Sequence, residues 1–258
     1  MLLTILTQFL FRATFGVALA MAATPPKLVS CGFYRIHLWV IMGANTLVAL
    51  TLYSQRQAIP FAQRGMLLAI AIGICSYVGG VAWLYESKRL GHGMVTAVTL
   101  LGLAASVSCG NLLSGATPHT QWWASVDAVT AGLVLGFTLT AMFLGHWYLN
   151  SPGMQLQPLQ KLVGLILIAV LLRSVVCGTG LWAELAVPTS DWNAQPYLLG
   201  LRWLSGMAGL ALITVMTWMT LRIPNTQSAT GILYVGVLFA FLGELTSQFL
   251  TAGARLPL

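Results

Sequence analysis

The sequence predicts an all-α integral membrane protein: one bundle of about eight transmembrane helices joined by short loops, forming a single domain over residues 1–258. Three observations predict it. Hydrophobic residues make up 58% of the 258 positions and charged residues 7%, where a soluble domain carries about 25% charged residues. Eight segments hold the roughly 20 mainly apolar residues that a helix needs to cross the hydrocarbon layer. None of these runs shows the alternation of a membrane strand, and only helices or closed barrels satisfy their backbone in lipid.

The first segment, 1–23, ends in Ala20-Met21-Ala22-Ala23, which resembles a signal-peptide cleavage site. No basic residue precedes the run and Arg12 interrupts it, so the segment reads as a retained helix. Thr24-Pro25-Pro26-Lys27 breaks the chain before the second helix, 33–54. The third and fourth cover 65–85 and 94–115, the third marked by Gly79-Gly80. The fifth, 125–150, carries Gly132 and Gly136 at the spacing that lets helix backbones approach. Ser151-Pro152-Gly153 ends it, and the sixth runs over 159–185. The seventh, 196–222, holds Ser205 and Gly209 at the same small-residue spacing and stops at Pro224. Thr226 or Ser228 is placed to cap the eighth, 229–252. No loop is long enough to fold separately, and residues 1–115 show no repeat in 125–252, which weakens an inverted-repeat transporter.

Orientation follows from basic residues at helix ends. One side collects Lys27, Arg35, Lys88, Arg89, Lys161 and Arg222; the other collects Arg56, Arg64 and Arg255, with the acidic Glu184 and Asp191. Six against three makes the first side cytoplasmic, with both termini outside, in a membrane of the bacterial inner type. The net charge of +7 belongs to this asymmetry, so the expected partners are the bilayer and other membrane subunits, not nucleic acid. The four cysteines, Cys31, Cys75, Cys109 and Cys177, form no CxxC and read as packing residues.

Two sets of residues stand out chemically. His37, in Phe33-Tyr34-Arg35-Ile36-His37, and His146, beside Trp147 and Tyr148, fall at one depth near the cytoplasmic face. Imidazole is an axial ligand for haem iron, and bundle cores are where such ligands are built. His37 and His146 are thus the candidate metal ligands, with Arg35 and Trp147 beside them. The cofactor expected is haem b or a quinone, and a chlorophyll-type pigment fits imidazole equally. The competing reading is an ordinary aromatic belt with interfacial histidines. His92 reads as a loop residue, and His119 falls on the opposite side.

The second set is ionic. Arg12, Asp127, Arg173, Arg202 and Glu244 lie inside apolar segments, where charge is expensive and is normally paired or faces a cavity. Arg202 is expected to pair with Glu244 or Asp127, with Gln248 and Asn111 nearby. Arg173 has no acidic partner at its expected depth. Glu244 reads either as a proton-handling carboxylate or as half of a structural pair.

The chain carries no Walker A, HExxH or GxSxG motif. In size and helix number alone it resembles the membrane anchor subunits of respiratory oxidoreductases, which bind quinol or haem; no motif carries the resemblance. The expected function is a non-catalytic membrane subunit of an electron-transfer complex, of respiratory or photosynthetic type. The alternatives are a small-solute transporter or channel, and a purely structural assembly subunit.

Overall fold

The computed structural model describes residues 2–59, 62–113, 118–151, 153–186, 196–223, 225–252 and 258, and of 111–113 and 118–120 only the backbone. Among the described residues there are helices and no strands. Eight helices are long and apolar enough to cross a membrane. They are α1 (Leu2–Ala23), α2 (Cys31–Ser54), α3 (Ala62–Leu84), α4 (Lys88–Leu113), α5 (Pro118–Asn150), α6 (Gln157–Leu185), α7 (Pro196–Arg222) and α8 (Thr226–Thr251).

Most of these helices begin several residues before the apolar runs that announce them. The added turns are polar: Gln63-Arg64 opens α3, Lys88 to Gly93 opens α4, and Thr226 to Ser228 opens α8. A helix does not stop where hydrocarbon stops; it stops where its free N–H groups find a cap. His92 and His119 therefore lie in helices, not loops. The cap of α8 is Asn225, whose Oδ1 accepts from the Ser228 amide at 3.0 Å, rather than Thr226 or Ser228.

Helices α1 and α5 form the centre, with 67% and 83% of their apolar windows buried, against 33% for α2 and α7. α1 packs on α4 and α5; α5 also packs on α6 and α8; α2 pairs with α3 at the edge. The α1–α5 crossing depends on glycine. A methyl built on Gly16 would overlap the Gly132 carbonyl, and one on Gly136 would overlap the Gly16 backbone. The Gly132/Gly136 spacing is therefore used, and its partner is Gly16.

Helix α7 carries one π-helical stretch, Leu204–Gly209. Below it, Leu210, Thr214, Thr217 and Leu221 form the buried stripe. In an unbroken α-helix Arg202 would stand about 80° off that stripe, at roughly 100° per residue. The wider π turn absorbs about one residue's rotation and returns Arg202 to the buried face, where it is fully buried. Gly206, within the stretch, meets Gly243 of α8, so close that a methyl on Gly206 would sit 2.7 Å from the Gly243 Cα.

Candidate functional site

The ionic residues form one connected centre spanning α1, α5, α6, α7 and α8. Arg173 is its hub. Its Nε and Nη2 donate to the two Glu244 oxygens at 3.0 Å each, a two-pronged grip on one carboxylate. Its Nη1 donates to Asp127 Oδ1 and to Thr130 Oγ1, the latter at 3.2 Å. Nη2 also reaches Ser247 Oγ at 3.1 Å. Arg12 Nη2 donates to the other Asp127 oxygen at 2.6 Å. Arg202 Nη1 lies 3.4 Å from Glu244 Oε1, and its Nη2 is 3.2 Å from Cys177 Sγ. The Ser247 hydroxyl donates to the Leu258 backbone oxygen, so Leu258 folds over this end of α8.

The structure thus joins all five intramembrane charges, Arg12, Asp127, Arg173, Arg202 and Glu244. Arg202 takes Glu244 as its acid. Arg173, which has no acidic partner in the sequence-based layout, has two. The cause is the helix start: with α5 beginning at Pro118, Asp127 is the tenth residue of its helix, about 14 Å in at 1.5 Å per residue. Arg173, twelve residues before the end of α6, lies about 18 Å from the same face at 1.5 Å per residue, and its long side chain spans the difference. Gln248 lies one turn beyond Glu244, buried, and neither of its amide atoms has a protein partner. Asn111, Asp191 and Arg255 lie outside the described residues or side chains.

Chemically, the centre is a clamp. Every nitrogen of Arg173 is engaged and Glu244 is held by two arginines. A carboxylate gripped in this way is poorly suited to loading and releasing protons. One partner of a buried pair, removed alone, leaves an uncompensated charge.

The histidines are arranged differently from the expectation of a shared ligand space. His37 is buried, its Nδ1 lies 2.6 Å from the Phe33 carbonyl, and its ring contacts those of Phe33 and Phe143 at centroid distances of 4.2 and 4.7 Å. His146 is exposed and its Nδ1 lies 3.1 Å from the Tyr234 hydroxyl of α8. α5 therefore turns Phe143 and Trp147 toward α2, and His146 toward α8. Trp147 Nε1 donates to Ser30 Oγ at 2.9 Å, and Arg35 lies over the Trp39 ring at 5.5 Å; neither is shared with a histidine. Among the described residues, no group of three or more His, Cys, Asp or Glu side chains is arranged to hold a metal ion.

No protein-family model, curated protein or solved structure matches this chain.

Proposed function

We propose that this chain is a rigid, non-catalytic subunit of a larger membrane assembly of the electron-transfer kind, and that the redox group it meets is a quinone at His146 and Tyr234. The observation that carries the first part is the five-helix clamp. Alternating-access transport needs one part of a bundle to rock against another. The Arg12–Asp127–Arg173–Glu244–Arg202 chain ties the first helix to the last four through fully buried ion pairs. Those five helices move as one body, which suits a scaffold and opposes a transporter.

The quinone rests on the accessible pair. Tyr234 holds His146 Nδ1, and Nε2 has no partner among the described residues. In either tautomer Nε2 is one oriented hydrogen-bonding group for a quinone carbonyl or hydroxyl. Two imidazoles gripping one iron would need to face a common space, which His37, packed on Phe33 and Phe143, does not offer. The α2–α3 edge carries an apolar groove of about 540 Å³ along Asn45, Tyr53 and Tyr77, which offers a surface for a neighbouring subunit or acyl chains.

The protein, extracted gently from its own membrane, should migrate well above the mass of a 258-residue monomer and release quinone into organic solvent. His146→Ala or Tyr234→Phe should lower the retained quinone about tenfold, the worth of one hydrogen bond near 1.4 kcal/mol. A monomer without quinone would sink the reading. A Soret band lost in His146→Ala would replace the quinone by haem. One observation favours small-solute transport instead: π turns recur at functional sites, and this one adjoins Arg202. Counterflow of a labelled solute in proteoliposomes would establish that reading and remove the scaffold.

We further propose, from the basic asymmetry, that the Ser87 and Ser151 loops face the cytoplasm. Single cysteines introduced there, with the native cysteines replaced, should react with a membrane-impermeant maleimide only after the cells are broken. Labelling from outside would invert the topology.

A further inference from the structure

The ionic centre is unbalanced, and the imbalance has a location. Among the described residues it holds three arginines, Arg12, Arg173 and Arg202, against two carboxylates, Asp127 and Glu244. Guanidinium does not deprotonate in proteins, and a net buried charge in hydrocarbon is costly. Two members keep unpartnered nitrogens: Arg202 at Nε, beside Glu244 and Cys177, and Arg12 at two positions. Arg12 bonds one oxygen of Asp127 through Nη2, while Arg173 takes the other. Arg12 Nε and Nη1 are buried with no hydrogen-bond partner.

Two further polar groups collect beside it. Gln8, one turn toward the N-terminus on the same face of α1, is 4% exposed, and both its amide atoms lack a partner. Ser106 of α4 is 1% exposed, and its hydroxyl also lacks a partner. The register between the two helices places Ser106 level with Arg12. A methyl on Gly102 would lie 3.0 Å from the Phe15 Cα, and one on Gly110 would lie 3.9 Å from Gln8 Oε1. The helices run antiparallel, and Ser106, midway between those glycines, falls opposite Phe11 and Arg12. Buried polar atoms are nearly always satisfied in native proteins. Here five of them lie on three side chains that the register brings to one stretch of the α1–α4 seam, beside a guanidinium.

We propose that the α1–α4 seam at Arg12, Gln8 and Ser106 binds one small monovalent anion of the chloride class. The ion takes the free edge of the Arg12 guanidinium and the N–H and O–H donors of Gln8 and Ser106. Its single charge matches the excess of the three arginine side chains over the two carboxylate side chains; a divalent ion would overshoot. The Asp127 carboxylate lies across the guanidinium, against Nη2, and its charge is already divided between two arginines. The Cys177 sulfur sits at the opposite end of the network against Arg202, and the Leu258 oxygen meets Ser247 beside Arg173. The site is independent of the redox reading, since it uses none of the same residues.

The test is the unfolding midpoint of the purified full chain in nanodiscs, titrated with sodium chloride against sodium gluconate at constant ionic strength. Chloride, bromide and nitrate should raise the midpoint saturably; gluconate and sulfate should not. Gln8→Leu, which keeps the volume and the α1 packing, should weaken the half-saturating chloride concentration about tenfold, the loss of one hydrogen bond to a charged partner. Its helical circular dichroism and elution volume should stay unchanged. Arg12→Gln should abolish the response, and bromide should give an anomalous-scattering peak beside Arg12. A midpoint identical in chloride and gluconate would overturn the proposal and leave water as the partner of these groups. So would a Gln8→Leu protein with unaltered chloride dependence.

Discussion

Arg173→Met should be the most damaging single substitution in the membrane-spanning region. It takes the shared arginine from two buried carboxylates at once, leaving Asp127 to Arg12 alone and Glu244 to the longer contact with Arg202, and it deprives Thr130 and Ser247 of their donor. Breaking one buried pair by removing a partner costs about 3–5 kcal/mol, and whole domains are stable by only about 5–15 kcal/mol. The expected outcome is a severe loss of folded protein in the membrane. Any survivor should show an unfolding midpoint well below that of the parent, read by fluorescence-detected chromatography after heating. Arg173→Lys should fall between the two, because an ammonium is a point charge and cannot span both carboxylates as the planar guanidinium does. Glu244→Gln should also destabilise, by stranding Arg202 and half of Arg173. A stable Arg173→Met protein would mean that the clamp does not hold the bundle.

Gly16→Val should be the second largest loss, for a purely steric reason. The α1 and α5 backbones touch at Gly16, Gly132 and Gly136, and any Cβ on Gly16 occupies the position of the Gly132 carbonyl. Overpacking alone costs about 1–3 kcal/mol. The helices must also separate one turn from the Arg12–Asp127 pair, so the ionic term is lost with the packing term. Gly43→Ala is the matched control. Nothing lies within 4 Å of a methyl built on Gly43 and the residue is exposed, so this change should be neutral, or stabilising by up to about 1 kcal/mol through helix propensity. Equal unfolding midpoints for Gly16→Val and Gly43→Ala would show that the crossing is not close-packed.

The number of helices and their order were legible because a hydrocarbon layer imposes a length on each apolar run. Helix starts were not, since capping and polar first turns lie outside that layer. This error propagates. Placing the start of α5 at residue 125 puts Asp127 at a helix end, and only the longer helix beginning at Pro118 carries it down to Arg173. The membership of the ionic centre was visible from the scarcity of charge in the chain, while its hub was not. For the histidines the depth was legible and the direction was not. Counting residues along an axis gives height, but rotation about α5 decides that Phe143 meets α2 while His146 meets α8. The π stretch was invisible for the same reason: Ser205 and Gly209 were read at α-helical spacing, and the close contact is made by Gly206.

The clamp also dictates a timetable for biogenesis. Arg12 and its acid are 115 residues apart, and Arg173 and Glu244 are 71 apart. At a synthesis rate of about 5–20 residues per second, the first helix spends roughly 6–23 s in or beside the insertion machinery before Asp127 has been made. Arg173 then finds Asp127 already made, but Arg202 waits for Glu244 of the last helix. Until Asp127 is made, Arg12 has neither carboxylate of the centre to meet, and until Glu244 is made, Arg202 lacks the one it contacts. The bundle cannot close one helix at a time. It closes when its final segment arrives, and until then the chain depends on whatever shields those charges: water drawn into the bilayer, a headgroup pulled inward, or an insertase that keeps the early helices from drifting apart.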